Sequence, residues 1–504
     1  MESSSKTVVA SAVFITCLIF YMLLFSGHHY SLDGMVMFQY AKSLYFDHSF
    51  KMNPPVKWAI FEFTVPPWAV GLSLAYIPLL AVLSKTIFAG DGSIRTIPFP
   101  AVPNYEYYLM YNRVYEYCAV LNPLITALTA AILYLVCVEL GWSKKRAGAA
   151  ALTFGLVSPA AVYSKLDFAQ PLASLFLLSA FFLLLKAERK KERKKESLIY
   201  LGLAGLCLGV AILTRSEFMI LAPILAIAVC LMPAGKPSLI RFSVIEALTK
   251  LFAFGIPLGA MVVLNQAFIF FKFGGWFNTG YPIANLLTFN ARHWLTAFAG
   301  NLISPGRGIL IFFPMSILSL GGLKRLIATD QWFARTVFSF LVGNFLFYPI
   351  WRTWDAGISW GPRFLIPMVP YLCLLAYAAL PPLLSPRYKV LVSVLLILGV
   401  VGALQGLLFD FLHFYGSLGL SSAQFDQQTY HFSVFTSPLF AGWKGLAHIS
   451  SYDIKWFHLE RAIAIKLVFP MFGLLCLSVL AKAWFNFFRS PAEPAAVKSR
   501  SQAA

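Results

Sequence analysis

Apolar residues along this chain come in long runs broken by short polar connections, from residue 7 to residue 484. An α-helix rises 1.5 Å per residue, so about 20 apolar residues cross the ~30 Å hydrocarbon core of a bilayer. Such runs lie at 7–25, 119–140, 147–163, 171–186, 198–214, 218–232, 251–271, 308–323, 332–350, 364–384, 390–409 and 462–484. They predict an all-α polytopic membrane protein of about twelve transmembrane helices. A further apolar segment, 66–88, either crosses as a thirteenth span or lies along the membrane surface.

Composition agrees with that pattern. Of 504 residues, 59% are hydrophobic and 12% charged, whereas soluble globular proteins carry about 25% charged residues. An ordinary soluble enzyme is excluded. No long polar stretch separates the runs, so residues 1–504 read as one membrane domain. The net charge of +19 raises nucleic-acid binding, but the positions of the charges point to topology instead. If 66–88 crossed the membrane, Lys144, Lys145, Arg146 and the basic run 186–195 would fall outside. With that segment on the surface, 23 of the 40 cations and 8 of the 21 acids share the side of the two termini. The positive-inside rule makes that side cytoplasmic. The expected arrangement is a multi-pass protein of the plasma (inner) membrane with a long first extracytoplasmic loop, 28–113, carrying interfacial helices. A last extracytoplasmic loop, 410–461, and a cytoplasmic tail, 485–504, complete it. Membrane lipids are then the surroundings, and nucleic acid is not a partner. The first run follows Lys6 and has no small-residue cleavage site before His28 and His29, so it is expected to stay as an anchor. The seven cysteines are scattered, with neither a CxxC pair nor zinc-finger spacing.

Chemistry has to sit where water reaches it, which directs attention to the outer loops. No Asp, Glu, Lys or Arg lies near the centre of a run, only amides such as Asn122, Asn265, Asn344 and Gln405. Ion-coupled carriers usually place an ionisable group or a broken helix there. HExxH and phosphate-loop patterns are absent from the sequence. In the first loop, Asp33 opens a stretch in which Met35, Phe38, Ala41, Lys42 and Tyr45 recur at helical spacing. A carboxylate fixed at the lipid–water boundary serves as a general base for an acceptor hydroxyl, or as a helix N-cap. Arg215 and Glu217 flank a tight turn and read as a local ion pair. His28 and His29 read as surface residues, since neighbours on a helix do not face one site.

Several segments together resemble GT-C-type glycosyltransferases, in particular the protein mannosyltransferase (family 39-like) members of bacteria and archaea. These are Asp33 followed by Tyr40-Ala41-Lys42-Ser43-Leu44, a segment with Gly71, Ser73 and Pro78, GLAGLCLGVAILTRSE (202–217), SPGRGILIFFP (304–314) and WDAGISWGPRFLIPMVP (354–370). The resemblance implies inverting transfer of a sugar from a polyprenyl-phosphate carrier to a glycan, lipid or protein acceptor on the extracytoplasmic face. Asp33 matches the first-loop catalytic acid. Relatives often pair two acids there, where this chain has Gly34 and Met35. Asp167 stands where some branches place a metal-binding carboxylate, which makes a divalent cation the one possible cofactor; otherwise it pairs with Lys165 or caps the following helix. The leaving lipid phosphate calls for arginine donors, here Arg363, Arg307, Arg352 and Arg215, with Arg113 a further outer cation. Glycines beside Arg363 and Arg307 are expected to let backbone approach the ligand. Trp354 and Trp360 are expected to stack on sugar or to join an interfacial belt. Asp355 is expected to orient Arg352 or Arg363, or to bond a sugar hydroxyl. The alternative function is a flippase or exporter of a lipid-linked sugar.

Overall fold

The computed structural model describes residues 2–53, 55–58, 61–90, 113–233, 244–278, 287–381, 385–411, 414, 430–447, 452–455 and 463–489. Helix forms on every one of the twelve predicted runs. Among the described residues, eight helices are long and apolar enough to cross a membrane. They include Glu2–Leu23, Leu121–Glu139, Gln170–Arg189, Lys194–Thr214, Val244–Phe273, Gln331–Phe347, Pro386–Leu408 and Ile463–Arg489. The other four runs are shorter or broken. Lys144–Val157 stops at Ser158, which starts a second piece, Pro159–Tyr163. Leu221–Cys230 follows a 3-10 turn at Ser216–Ile220. Ile309–Phe312, Pro314–Leu318 and Ser319–Thr329 replace a single helix, the break falling at Pro314, which cannot donate the next helical bond. A 3-10 turn at Arg363–Met368, containing Pro367, leads into Val369–Ala378.

Within 66–88 the helix Gly71–Lys85 has 15 residues, about 22 Å of length and short of the hydrocarbon thickness. It packs on Leu32–Phe46, the helix predicted after Asp33. A two-stranded hairpin, Val56–Trp58 against Phe61–Phe63, lies between them, with Val56 opposite Phe63. Small residues bring the long helices together, as in membrane bundles generally. At Gly205 an added Cβ would stand 2.9 Å from the carbonyl carbon of Phe254 on the neighbouring helix.

The polar segments sort to two ends. At one end, residues 28–33, 164–170, 304–307, 351–363, 431 and 453 bond to one another across the sequence. At the other, Arg146 donates to the carbonyls of Tyr377 (2.5 Å) and Leu380 (3.0 Å), Lys144 to Ser5 and Arg189 to Asp330. The segments predicted to share the outer face therefore do share one end, and the basic clusters share the opposite one.

Candidate active site

Ser31, not Asp33, caps the helix Leu32–Phe46: its Oγ accepts from the Gly34 amide at 2.9 Å. Asp33 sits in the first turn, where the helix dipole favours an anion and its side chain is left to reach outward. Arg363 Nη2 donates to Asp33 Oδ2 across 330 residues of sequence. The guanidinium stacks on the Phe168 ring, 3.8 Å from its centroid. Arg363 Nη1 also donates to the carbonyl of Ala356 at 3.4 Å. Ala356 and Gly357 both have positive φ, 63° and 64°, a sharp fold of the backbone that is strained at the alanine. Gln170, turned with its oxygen toward the arginines, accepts from Arg363 Nε at 3.1 Å and from Arg215. Arg215 in turn pairs with Glu217, as the spacing predicts. Two arginines and two acids thus form one chain through an amide.

That chain lines a cavity of about 660 Å³, within the range of small-molecule sites. Most of its wall is apolar, with Met37, Trp68, Phe268, Phe347, Trp351 and Phe364 among the lining residues. Its charged side chains are Asp33, Arg363, Arg215, Glu217 and Lys272.

Other predicted site residues lie elsewhere. Arg307 is 1% exposed and is not among the lining residues; its guanidinium donates to the carbonyls of Ser359 (2.5 Å), Gly357 (2.5 Å) and Gly361 (3.3 Å). It braces the back of the loop whose front carries Ala356. Arg352 is exposed and outside the lining. The side chain of Arg113 is outside the described residues.

Trp354 and Trp360 are 1% and 0% exposed, so they neither stack on a ligand nor form a surface belt. Trp360 donates its indole N–H to Gln405 at 2.8 Å and meets Phe312 edge-on, while Trp354 packs on Gly300 and His431. Asp355 accepts from His431 Nε2 at 2.9 Å rather than orienting an arginine. The bond with His431, aided by the charge of Arg307, outweighs the upward push of burial and holds the Asp355 carboxyl below its usual range. The glycines predicted to admit ligand serve internal packing instead: Gly361, at φ 57°, would bring a Cβ to 2.6 Å from Phe312.

Asp167 neither pairs with Lys165 nor caps the next helix, whose N-cap is Ala169. It is fully buried, accepting from Ser31 Oγ and facing His29 Nδ1, each at 2.9 Å. Asn122 holds this turn by donating to the carbonyls of Leu166 and Phe168. A Cβ at position 34 would stand 2.7 Å from Asp167 Cβ and nearer still to its carboxylate. The space that a second first-loop acid would need is therefore filled by Asp167. Among the described residues, the side chains around Asp33 and Asp167 do not assemble a divalent-cation site. Asp33 faces a guanidinium, both oxygens of Asp167 are engaged, and among the described residues no group of three His, Cys, Asp or Glu side chains assembles.

His29 is fully buried and His28 partly so, and each meets a carboxylate rather than lying free on the surface. His28 Nε2 meets Asp453 Oδ1 at 2.7 Å, and Lys165 Nζ meets Asp453 Oδ2 at 2.6 Å. Burial opposes the imidazolium of His28, but the charge of Asp453 and the hydrogen bond to it win, pushing its pKa up to about 9. For Asp453, burial pushes upward, and Lys165 and His28 outweigh it, holding the carboxyl well below the usual range.

A helical membrane bundle with a charged, mainly apolar cavity at one end is the class of protein that these features define. No family model and no curated protein matches the chain. Solved structures do. The apo oligosaccharyltransferase of Archaeoglobus fulgidus is 13% identical over 86% of this chain and 60% of its own, with a TM-score of 0.46. ArnT of Cupriavidus metallidurans in the apo state is 14% identical over 97% of this chain and 76% of its own, TM-score 0.48. ArnT bound to undecaprenyl phosphate is 14% identical over 98% and 74%, TM-score 0.46. The chain spans about 60% of the length of the archaeal protein.

Proposed function

We propose that the chain is an integral-membrane glycosyltransferase moving a sugar from a polyprenyl-phosphate carrier to an acceptor hydroxyl of a glycan, lipid or protein. The observation that carries this reading is the meeting of Asp33 and Arg363, 330 residues apart, on the wall of one largely apolar cavity. The acceptor oxygen attacks the sugar carbon from the face opposite the phosphate. Its bond forms as the bond from that carbon to the phosphate oxygen breaks, which inverts the centre. The acceptor proton passes to a carboxylate oxygen of Asp33, and the negative charge leaves on the lipid phosphate. A positioned base of this kind contributes about 10²- to 10⁴-fold in rate.

Arg363 links the two ends of the reaction. An incoming phosphate competes with Asp33 for the guanidinium, so donor binding frees the oxygen that must take the proton. Arg215, tied to Arg363 through Gln170, adds positive charge beside the leaving group. In this reading the cavity opens on the extracytoplasmic face of the plasma (inner) membrane and both termini are cytoplasmic. The phosphate leaving group supplies the driving force where nucleotide sugars are absent.

The test is transfer of labelled sugar from polyprenyl-phosphate donors by purified Asp33→Asn. A loss of about 10²-fold or more with donor binding retained is the expected result. Turnover near wild type removes Asp33 as the base, and intact labelled lipid moving across vesicles with no transfer favours an exporter.

A further inference from the structure

Five charged side chains line the cavity, and four of them form two pairs, Asp33 with Arg363 and Arg215 with Glu217. The fifth is Lys272, in the last turn of the helix Val244–Phe273. It is 8% exposed. Its ammonium donates to the carbonyls of Pro66 (3.1 Å) and Trp68 (2.8 Å) and lies 5.1 Å from the centroid of the Phe273 ring. Among the described residues no carboxylate lies within ion-pair distance of it. Carbonyl dipoles and a ring face solvate an ammonium in part, but they bring no negative charge. Buried charges in proteins are ordinarily paired, because an uncompensated one costs several kcal/mol. Among the described lining residues, Lys272 is therefore the cationic side chain with no acid paired to it.

We propose that Lys272 is an anion-binding residue of this cavity, taking an oxygen of the phosphate group of a polyprenyl phosphate. The proposal deepens the glycosyltransferase reading, yet it concerns binding alone and stands or falls apart from transfer. Its placement suits an amphiphile: Phe268 and Ile269, one turn back on the same helix, line the same cavity, so an isoprenoid chain meets apolar wall where its phosphate meets the ammonium. Phe271, on the outer side of that helix, is 57% exposed and stacks on Phe50 at 4.7 Å. A charge-assisted hydrogen bond of this sort is worth about 1.5–3 kcal/mol, roughly ten- to a hundredfold in affinity.

The experiment compares farnesyl phosphate with farnesol on the full chain in detergent. Lys272→Met is expected to weaken farnesyl phosphate binding ten- to a hundredfold and to leave farnesol binding unchanged, with Lys272→Arg recovering most of the loss. Equal binding of farnesyl phosphate by wild type and Lys272→Met overturns the proposal, as does an equal loss for both ligands. A second measurement needs no variant. Reductive methylation of Lys272, read by mass spectrometry, should be slowed by farnesyl phosphate and not by farnesol, and protection by neither compound or by both alike also overturns it. If binding depends on Lys272 while no sugar is transferred from any polyprenyl-phosphate donor, the anion site stands and the transferase reading fails.

Discussion

Replacing Gly34 by alanine tests how the helix that carries Asp33, the proposed base, is held. The new methyl carbon would stand 2.7 Å from Asp167 Cβ, whereas carbon atoms pack at about 3.5–4.0 Å. Asp167 must therefore retreat by about 1 Å, and it has nowhere to go at no cost, being fully buried. Its two bonds, to Ser31 and His29, start at 2.9 Å, so a shift of that size breaks both. Hydrogen bonds to a charged group are worth about 1.5–3 kcal/mol each, and overpacking costs about 1–3 kcal/mol. With partial relaxation the expected loss is about 3–5 kcal/mol. Ser31 also caps the helix that carries Asp33, so sugar transfer should fall with stability. The assay is equilibrium unfolding in mixed detergent of Gly34→Ala, Asp167→Ala and the double variant. Alanine at 167 keeps its Cβ but removes the carboxylate that stands nearest the new methyl, so the double should be less destabilised than the sum by about 2 kcal/mol. Strict additivity, or a Gly34→Ala protein within about 0.5 kcal/mol of wild type, refutes the reasoning.

Two further outcomes are expected. Trp360→Phe keeps the ring contact with Phe312 but orphans the buried oxygen of Gln405, costing about 1–3 kcal/mol without changing affinity for farnesyl phosphate; an unchanged melting temperature counts against this core role. The His28–Asp453 pair makes stability depend on pH. Because the His28 pKa is raised from 6.5 to about 9, its contribution is complete below about pH 6.5 and is lost as pH rises through about 9, on the order of 3 kcal/mol in all. Melting temperatures of wild type should fall between pH 7 and pH 10 more steeply than those of His28→Gln, and parallel curves refute the pairing.

Much of the fold was legible because the length of an apolar run is a local property. All twelve runs became helix, and breaks at Ser158 and Pro314 follow from residues visible in the sequence. The site was legible in part. Asp33, Arg363 and Arg215 lie on one cavity, as their loops suggested, but their pairing spans elements far apart in the chain and only packing could supply it. Trp354, Trp360 and Arg307 misled because outer-loop aromatics and cations read as exposed when their burial depends on neighbours in other elements, such as Gln405, His431 and Ser359. Lys272 was passed over because a cation at the end of an apolar run resembles any snorkelling lysine. The signal available was its place at the end of a span beside an aromatic run, on the side assigned to chemistry.

Asp453 sets a condition on biosynthesis. Lys165 meets this carboxylate across 288 residues of sequence, and at roughly 5–20 residues per second the nascent chain carries the lysine for about 15 to 60 seconds before its acid is made. During that interval a cation destined for the interior must stay at the membrane surface or borrow a substitute anion. Assembly of this end of the bundle is therefore deferred until residue 453 has been made, and chains cut short before it should be recognised and cleared by membrane quality control.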